Sequence, residues 1–117
     1  MKIKTLEMTR GDTARFKFTR LDADGQPITT EADELYFSVK STPSTSSVAF
    51  QVKIDEMEFD QATGQYSFVV LPEYTDKLNF KSKYYYDLEV IDQGVKTTIS
   101  YGEFILKPEV TWAGNEG

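Results

Sequence analysis

Ser82-Lys83-Tyr84-Tyr85-Tyr86-Asp87-Leu88-Glu89-Val90-Ile91 is the stretch whose reading decides the fold. Strict alternation sends Tyr84, Tyr86, Leu88 and Val90 to one face and Tyr85, Asp87, Glu89 and Ile91 to the other. One face is wholly apolar or aromatic and the other mixes acids with a tyrosine and an isoleucine. That is the signature of a central antiparallel strand with one side in a core and one side near water.

The same grammar recurs outward from it. Residues 13–21 alternate, with Ala14, Phe16 and Phe18 inward and Arg15, Lys17 and Thr19 outward. Residues 34–40 place Leu35, Phe37 and Val39 inward and Tyr36, Ser38 and Lys40 outward, as the expected sheet neighbour of the first stretch. Residues 3–8 read as an edge strand ending in the turn Thr9-Arg10-Gly11-Asp12. Phe50, Val52 and Ile54 alternate along another strand, and Met57 and Phe59 continue the spacing after a bend or bulge at Asp55 and Glu56. Asp60-Gln61-Ala62-Thr63-Gly64 predicts a hairpin into residues 65–71, with Tyr66, Phe68 and Val70 facing the core. Pro72-Glu73-Tyr74-Thr75-Asp76-Lys77-Leu78 predicts one short helical turn crossing between sheets. Asp92-Gln93-Gly94 then turns the chain into a last strand over residues 95–106.

Between residues 21 and 34, Asp24-Gly25 gives a turn, Pro27 excludes a central strand position, and Ile28 and Ala32 are the expected core contacts. The hydroxyl-rich run Ser41-Thr42-Pro43-Ser44-Thr45-Ser46-Ser47 predicts the most mobile loop. About seven short strands and no normal helix predict an all-β class, an immunoglobulin-like antiparallel β-sandwich, with a barrel as the alternative. Tyr84 and Tyr86 are candidates for the tyrosine corner of such sandwiches, in which a phenol bonds back to backbone a few residues upstream.

The length of 117 residues fits one domain, expected over residues 1–110 with a tail at 111–117. A net charge of −6 opposes nucleic acid as partner, since that affinity comes from cations on phosphate. No apolar run approaches the roughly 20 residues of a membrane span, so no membrane partner is expected. The start has a short basic stretch without an apolar successor, so no signal peptide and a cytosolic setting are expected. Cysteine is absent, leaving packing alone to hold the fold.

Histidine is absent as well, so the usual general base and the usual thiol nucleophile are both missing and no enzyme is expected. Asp22-Ala23-Asp24-Gly25 has the acid spacing that opens a calcium loop, but no glutamate stands at the twelfth position, so a plain turn is the expectation. With no glycine-rich phosphate loop and no zinc spacing, no cofactor and no metal are expected. The unusual surface is the outer face of the sheet holding the first stretch. Tyr36, Tyr85 and Ile91 point outward there, and the last strand could add Ile99, Tyr101 and Ile105 as a protein-interaction patch. The competing arrangement pairs Tyr36 with Tyr85 on a wet face and turns Ile99, Tyr101 and Ile105 inward, with Phe104 and Leu106 outward.

Thr9-Arg10-Gly11-Asp12-Thr13-Ala14-Arg15-Phe16, Leu21-Asp22-Ala23-Asp24-Gly25-Gln26-Pro27-Ile28, Leu35-Tyr36-Phe37-Ser38-Val39-Lys40, Thr63-Gly64-Gln65-Tyr66-Ser67-Phe68 and Tyr84-Tyr85-Tyr86-Asp87-Leu88-Glu89-Val90 resemble small phage and prophage structural domains. That group includes the N-terminal domain of phage baseplate upper proteins, and the similarity runs over about residues 8–108. The resemblance implies an immunoglobulin-like unit of a virion, in a baseplate, tail or fibre, assembled in the bacterial cytoplasm and without catalysis. Its implied partners are other phage structural proteins, with a homo-oligomer as a further possibility. The present sequence stops after one domain, without the downstream part through which baseplate proteins reach a receptor-binding partner. A carbohydrate-binding module, stacking exposed tyrosines on sugar rings, is the alternative from another class.

Overall fold

The computed structural model describes residues 2–43, 47–78 and 83–108. Nine strands are present among the described residues: β1 (Lys2–Ile3), β2 (Leu6–Thr9), β3 (Ala14–Thr19), β4 (Glu34–Lys40), β5 (Phe50–Lys53), β6 (Glu58–Asp60), β7 (Gln65–Val70), β8 (Tyr84–Asp92) and β9 (Val95–Lys107). They exceed the expected seven because two expected strands are each broken. The first splits into β1 and β2 around Lys4 and Thr5, and the fourth splits into β5 and β6 around a 3-10 turn at Ile54–Glu56. That turn is the expected bend, and it moves the chain from one sheet to the other. The helical turn α1 (Pro72–Thr75) crosses back, from β7 to β8.

The larger sheet runs β1-β9-β8-β4-β5, with β2 also on β9, and the smaller runs β3-β7-β6. β1 and β2 lie parallel to β9, while the other pairings are antiparallel. Counting each split strand once, β3, β7 and β6 stand second, fifth and fourth in one sheet and β4, β8 and β9 third, sixth and seventh in the other, so the fold is an immunoglobulin-like β-sandwich. Residues 44–46 of the hydroxyl-rich run and the tail at 111–117 lie outside the described residues, as does Ser82.

The core is aromatic. Phe37 of β4 lies with ring centroids 4.8 Å from Phe68, 5.6 Å from Tyr86, 6.1 Å from Phe16 and 6.2 Å from Phe104, so it touches both sheets. Tyr66 is fully buried, stacks on Phe18 at 5.0 Å and accepts a hydrogen bond from the Ala32 amide at 2.8 Å. That bond anchors the long 21–34 connection, where Ala32 is buried as expected. Arg20 follows Ala14, Phe16 and Phe18 on the inward side of the alternation and is buried too. Its guanidinium donates to the Thr30 carbonyl at 2.7 Å and to Asp92 at 3.3 Å, tying that connection to the β8–β9 hairpin.

The expected tyrosine corner is replaced by a longer bond. The Tyr86 phenol donates to the Lys4 carbonyl at 2.8 Å, 82 residues upstream, instead of to nearby backbone. Its single proton is thereby used, so the Ser100 hydroxyl at 3.0 Å is the donor to Tyr86. Gly102, opposite Tyr86 on β9, makes room for this crossing. A Cβ there would stand 2.3 Å from the Lys4 carbonyl oxygen, a backbone atom that cannot yield as a side chain would. The break between β1 and β2 therefore packs directly on a glycine.

Two measurements check this joint. Gly102→Ala is expected to destabilise the protein by about 2 kcal/mol, through overpacking against Lys4. Tyr86→Phe should lose about 1–2 kcal/mol by leaving the Lys4 carbonyl without a partner. Burial raises the Tyr86 pKa above its ordinary 10.0, a shift that the Ser100 bond partly opposes. The neutral phenol is thus the form the fold favours. Its contribution is complete below the unfolded value and is lost as pH rises through the folded one. Denaturant titrations should show stability falling at strongly alkaline pH, and falling less steeply in Tyr86→Phe.

Candidate functional site

The outer face of the larger sheet is built by register. On β8, the outward residues Tyr85, Asp87, Glu89 and Ile91 are half-buried, whereas Tyr84, Tyr86, Leu88 and Val90 are buried. Pairing sets them in rows. Tyr85 lies between Lys40 of β4 and Glu103 of β9; Asp87 lies between Ser38 and Tyr101; Glu89 lies between Tyr36 and Thr98; Ile91 lies between Glu34 and Lys96. Tyr36 and Tyr85 are consequently not cross-strand partners.

A bulge in the β8–β9 ladder between Leu88 and Glu89 controls the last strand. Ser100 faces Leu88 and Thr98 faces Glu89, so Ile99 is the extra residue and packs against the core. The expected outward position of Ile99 is therefore corrected: the bulge shifts the alternation by one. Beyond the bulge the outward set is Tyr101, Glu103 and Ile105, while Phe104 and Leu106 are fully buried. The competing arrangement, with those two outward and Tyr101 inward, does not hold either, since Tyr101 is 38% exposed. Ile105 is half-buried and pairs with Glu7 of β2.

Of the six sequence-derived residues, Tyr85 and Tyr101 come together. They line a concavity of about 440 Å³ with Ser38, Lys40, Asp87 and Thr98 among its other walls. Pro43, at the start of the hydroxyl-rich run, forms part of the rim. Tyr36 and Ile91 lie toward the other end of the face, four and six residues along β8 from Tyr85 in register, or about 13 and 20 Å at strand spacing. The Tyr36 phenol donates to the Glu34 carboxylate, and that bond is the main reason its pKa is raised, with burial and neighbouring acids adding to it.

Of the three charged residues lining the concavity, Glu103 is ion-paired, and further pairs lie along the rest of the face. Lys83 pairs with Glu103 at 3.2 Å, Lys96 with Glu89 at 3.7 Å and Lys107 with Glu7 at 3.3 Å. Asp87 and Lys40 share the concavity without an ion pair to each other. Two outward phenols, two acids, one amine and two hydroxyls make a floor for flat or aliphatic groups, ringed by hydrogen-bonding atoms of both signs. Asp87 was legible as outward-facing, but its place between Ser38 and Tyr101 depends on register, which alternation within one strand does not give.

Among the described residues no three histidine, cysteine or acid side chains cluster as a metal site. The Asp22 carboxylate is turned onto its own loop, accepting from the Asp24 and Gln26 amides at 2.9 Å each. No helix of the described residues is long and apolar enough to cross a membrane.

No protein-family model and no curated protein matches the chain. Among solved structures it is similar to the catalytic module of the multi-modular glycogen-degrading pneumococcal virulence factor SpuA. The identity there is 16% and the TM-score 0.50, over 78% of this chain and 11% of the other. It also matches the NK cell receptor NKp44, a triggering partner in natural cytotoxicity, at 13% identity and a TM-score of 0.48, over 93% of this chain and 100% of that one. The chain thus spans about a tenth of the length of the first structure, and at such identity the likeness is one of fold alone.

The bulge makes a sharp distinction between Ile99 and the nearby Tyr101. Ile99→Ala should cost about 1–2 kcal/mol in urea unfolding, because it removes core contacts. Tyr101→Ser should stay within about 0.5 kcal/mol of the parent, as surface changes do. Equal losses at both positions would contradict the assigned faces.

Proposed function

We propose that this chain is a non-catalytic protein-interaction module of a phage or prophage particle, docking other structural proteins through the outer face of its larger sheet. The observation that carries the docking surface is the convergence of Tyr85 and Tyr101 on one concavity of the sheet's outer face. Tyrosine presents large contact area with little rotamer entropy to lose, and it is enriched where binding energy concentrates. Tyr85 and Tyr101 face away from the core cluster, so these aromatics are not needed for the fold. Support for the particle rests on the resemblance of strand and turn motifs to baseplate-type domains.

One observation favours a second reading. Ser38, Thr98, Asp87 and Lys40 surround the two phenols with donors and acceptors, a combination that also suits a sugar ring stacked on tyrosine. The two readings separate cleanly by experiment. A tagged chain expressed in a lysogen carrying the encoding prophage should sediment with purified particles after induction. Tyr85→Ser with Tyr101→Ser should reduce that fraction at least about tenfold, as loss of a binding hot spot does, and Tyr36→Ser should not. Absence of the chain from particles, together with micromolar glycan-array binding lost in the same double variant, would replace the first reading with the second.

A further inference from the structure

The smaller sheet ends in two open edges of opposite charge. Among the described strands, β3 pairs only with β7, and so does β6. In immunoglobulin constant-type domains the first strand covers the second. Here β1 and β2 both lie on β9, and the flank of β3 stays uncovered. Phe16 and Phe18 are accordingly only half-buried, while Tyr66 and Phe68 on the central strand are buried.

The two edges are complementary in pattern. β3 presents Arg15 and Lys17 outward around the inward Phe16; β6 presents Glu58 and Asp60 outward around the half-buried Phe59. Both strands run antiparallel to β7 and therefore parallel to each other. A second copy translated across the sheet brings its β6 alongside β3 in parallel. A register of Arg15 on Glu58, Phe16 on Phe59 and Lys17 on Asp60 then satisfies both charges and joins the rings. Two β3 edges would set Arg15 against Lys17, and two β6 edges would set Glu58 against Asp60, both repulsive.

We propose that the β6 edge of one copy docks on the β3 edge of the next, extending the smaller sheet head to tail. Such a contact is heterologous and does not close on itself, so it builds open arrays in place of dimers. Both bases and both acids are placed for it. The Arg15–Glu58 pair within one copy, 3.5 Å long, is made by side chains 50% and 81% exposed and exchanges readily for the pair between copies. Asp60 spends Oδ1 on the Ala62 amide, leaving Oδ2 for Lys17. The surface is distinct from the tyrosine face, and either can hold without the other.

Sedimentation equilibrium at millimolar concentration tests it. Wild-type weight-average mass should climb past the dimer without a plateau and fall back as salt is added. Arg15→Glu with Lys17→Glu, and separately Glu58→Lys, should each weaken association about tenfold while circular dichroism stays unchanged. An equimolar mixture of the two variants should recover it and stop at pairs, because one matched edge remains. A wild-type protein monomeric throughout, variants that associate as the parent does, or a mixture no larger than its components would each overturn the proposal.

Discussion

Two sheets without a disulfide have to be held by what their inner faces bury, and in this chain that is a continuous set of rings around Phe37. Antibody domains fix the same layers with a cystine and a tryptophan. With no cysteine, the job falls to shape: rings from β3, β4, β7, β8 and β9 meet edge and face at centroid separations of 4.8 to 6.4 Å. Each aromatic buries a large area, so few residues suffice to close a core of this size. The cluster is contributed by strands far apart in sequence and exists only once both sheets are assembled. Cooperative folding and the freedom of the outer faces are two results of the same arrangement.

The second constraint is β9. It carries β8 on one side and both halves of the split first strand on the other, so its backbone must accept three neighbours. Gly102 lets Lys4 approach, and Tyr86 reaches past that glycine to bond the Lys4 carbonyl. A few residues earlier the bulge reverses the alternation, sending Ile99 into the core and Tyr101 out. The two devices are physically linked. A side chain at 102 would hold β1 away, and without the bulge the aromatic beside it would point inward. The tyrosine concavity is thus a by-product of how the first and last strands are joined.

The split between what could be read from sequence and what could not follows the reach of the interactions. Alternation is a property of a single strand, and it placed Leu35, Phe37, Val39, Tyr66, Phe68, Val70, Tyr84, Tyr86, Leu88 and Val90 in the core. Turn chemistry was equally local: Gly64 takes a φ of 77° at the end of the Asp60 turn, a left-handed conformation that glycine adopts without steric cost. The bulge at Ile99 was invisible because strand pairing, not composition, creates it. Tyr86 looked like a corner residue because the expected partner was near in sequence, whereas the real one is brought close by the parallel β1–β9 pairing. Arg20 is a charge on the inward side of its strand, and only the folded hairpin and 21–34 connection close over it and supply the partners that make burial tolerable.

These contrasts bear on where binding can occur. On the larger sheet, Lys83–Glu103, Lys96–Glu89 and Lys107–Glu7 pair across strands, and the two charges beside Tyr85 and Tyr101 outside those pairs, Lys40 and Asp87, are of opposite sign. Burying rings there gains apolar area, and a partner that covers Lys40 and Asp87 has to supply hydrogen bonds or opposite charge to both. On the smaller sheet the opposite holds: charge is segregated, basic at one edge and acidic at the other, and the backbone beside it is unpaired among the described strands. A sheet edge guarded by charge repels copies of itself, which is how open edges avoid aggregation. When the two edges of one sheet are guarded by opposite charges, the same protection selects a single mode of contact. The sandwich therefore separates a nearly neutral aromatic face, suited to a foreign partner, from polar edges suited to its own kind.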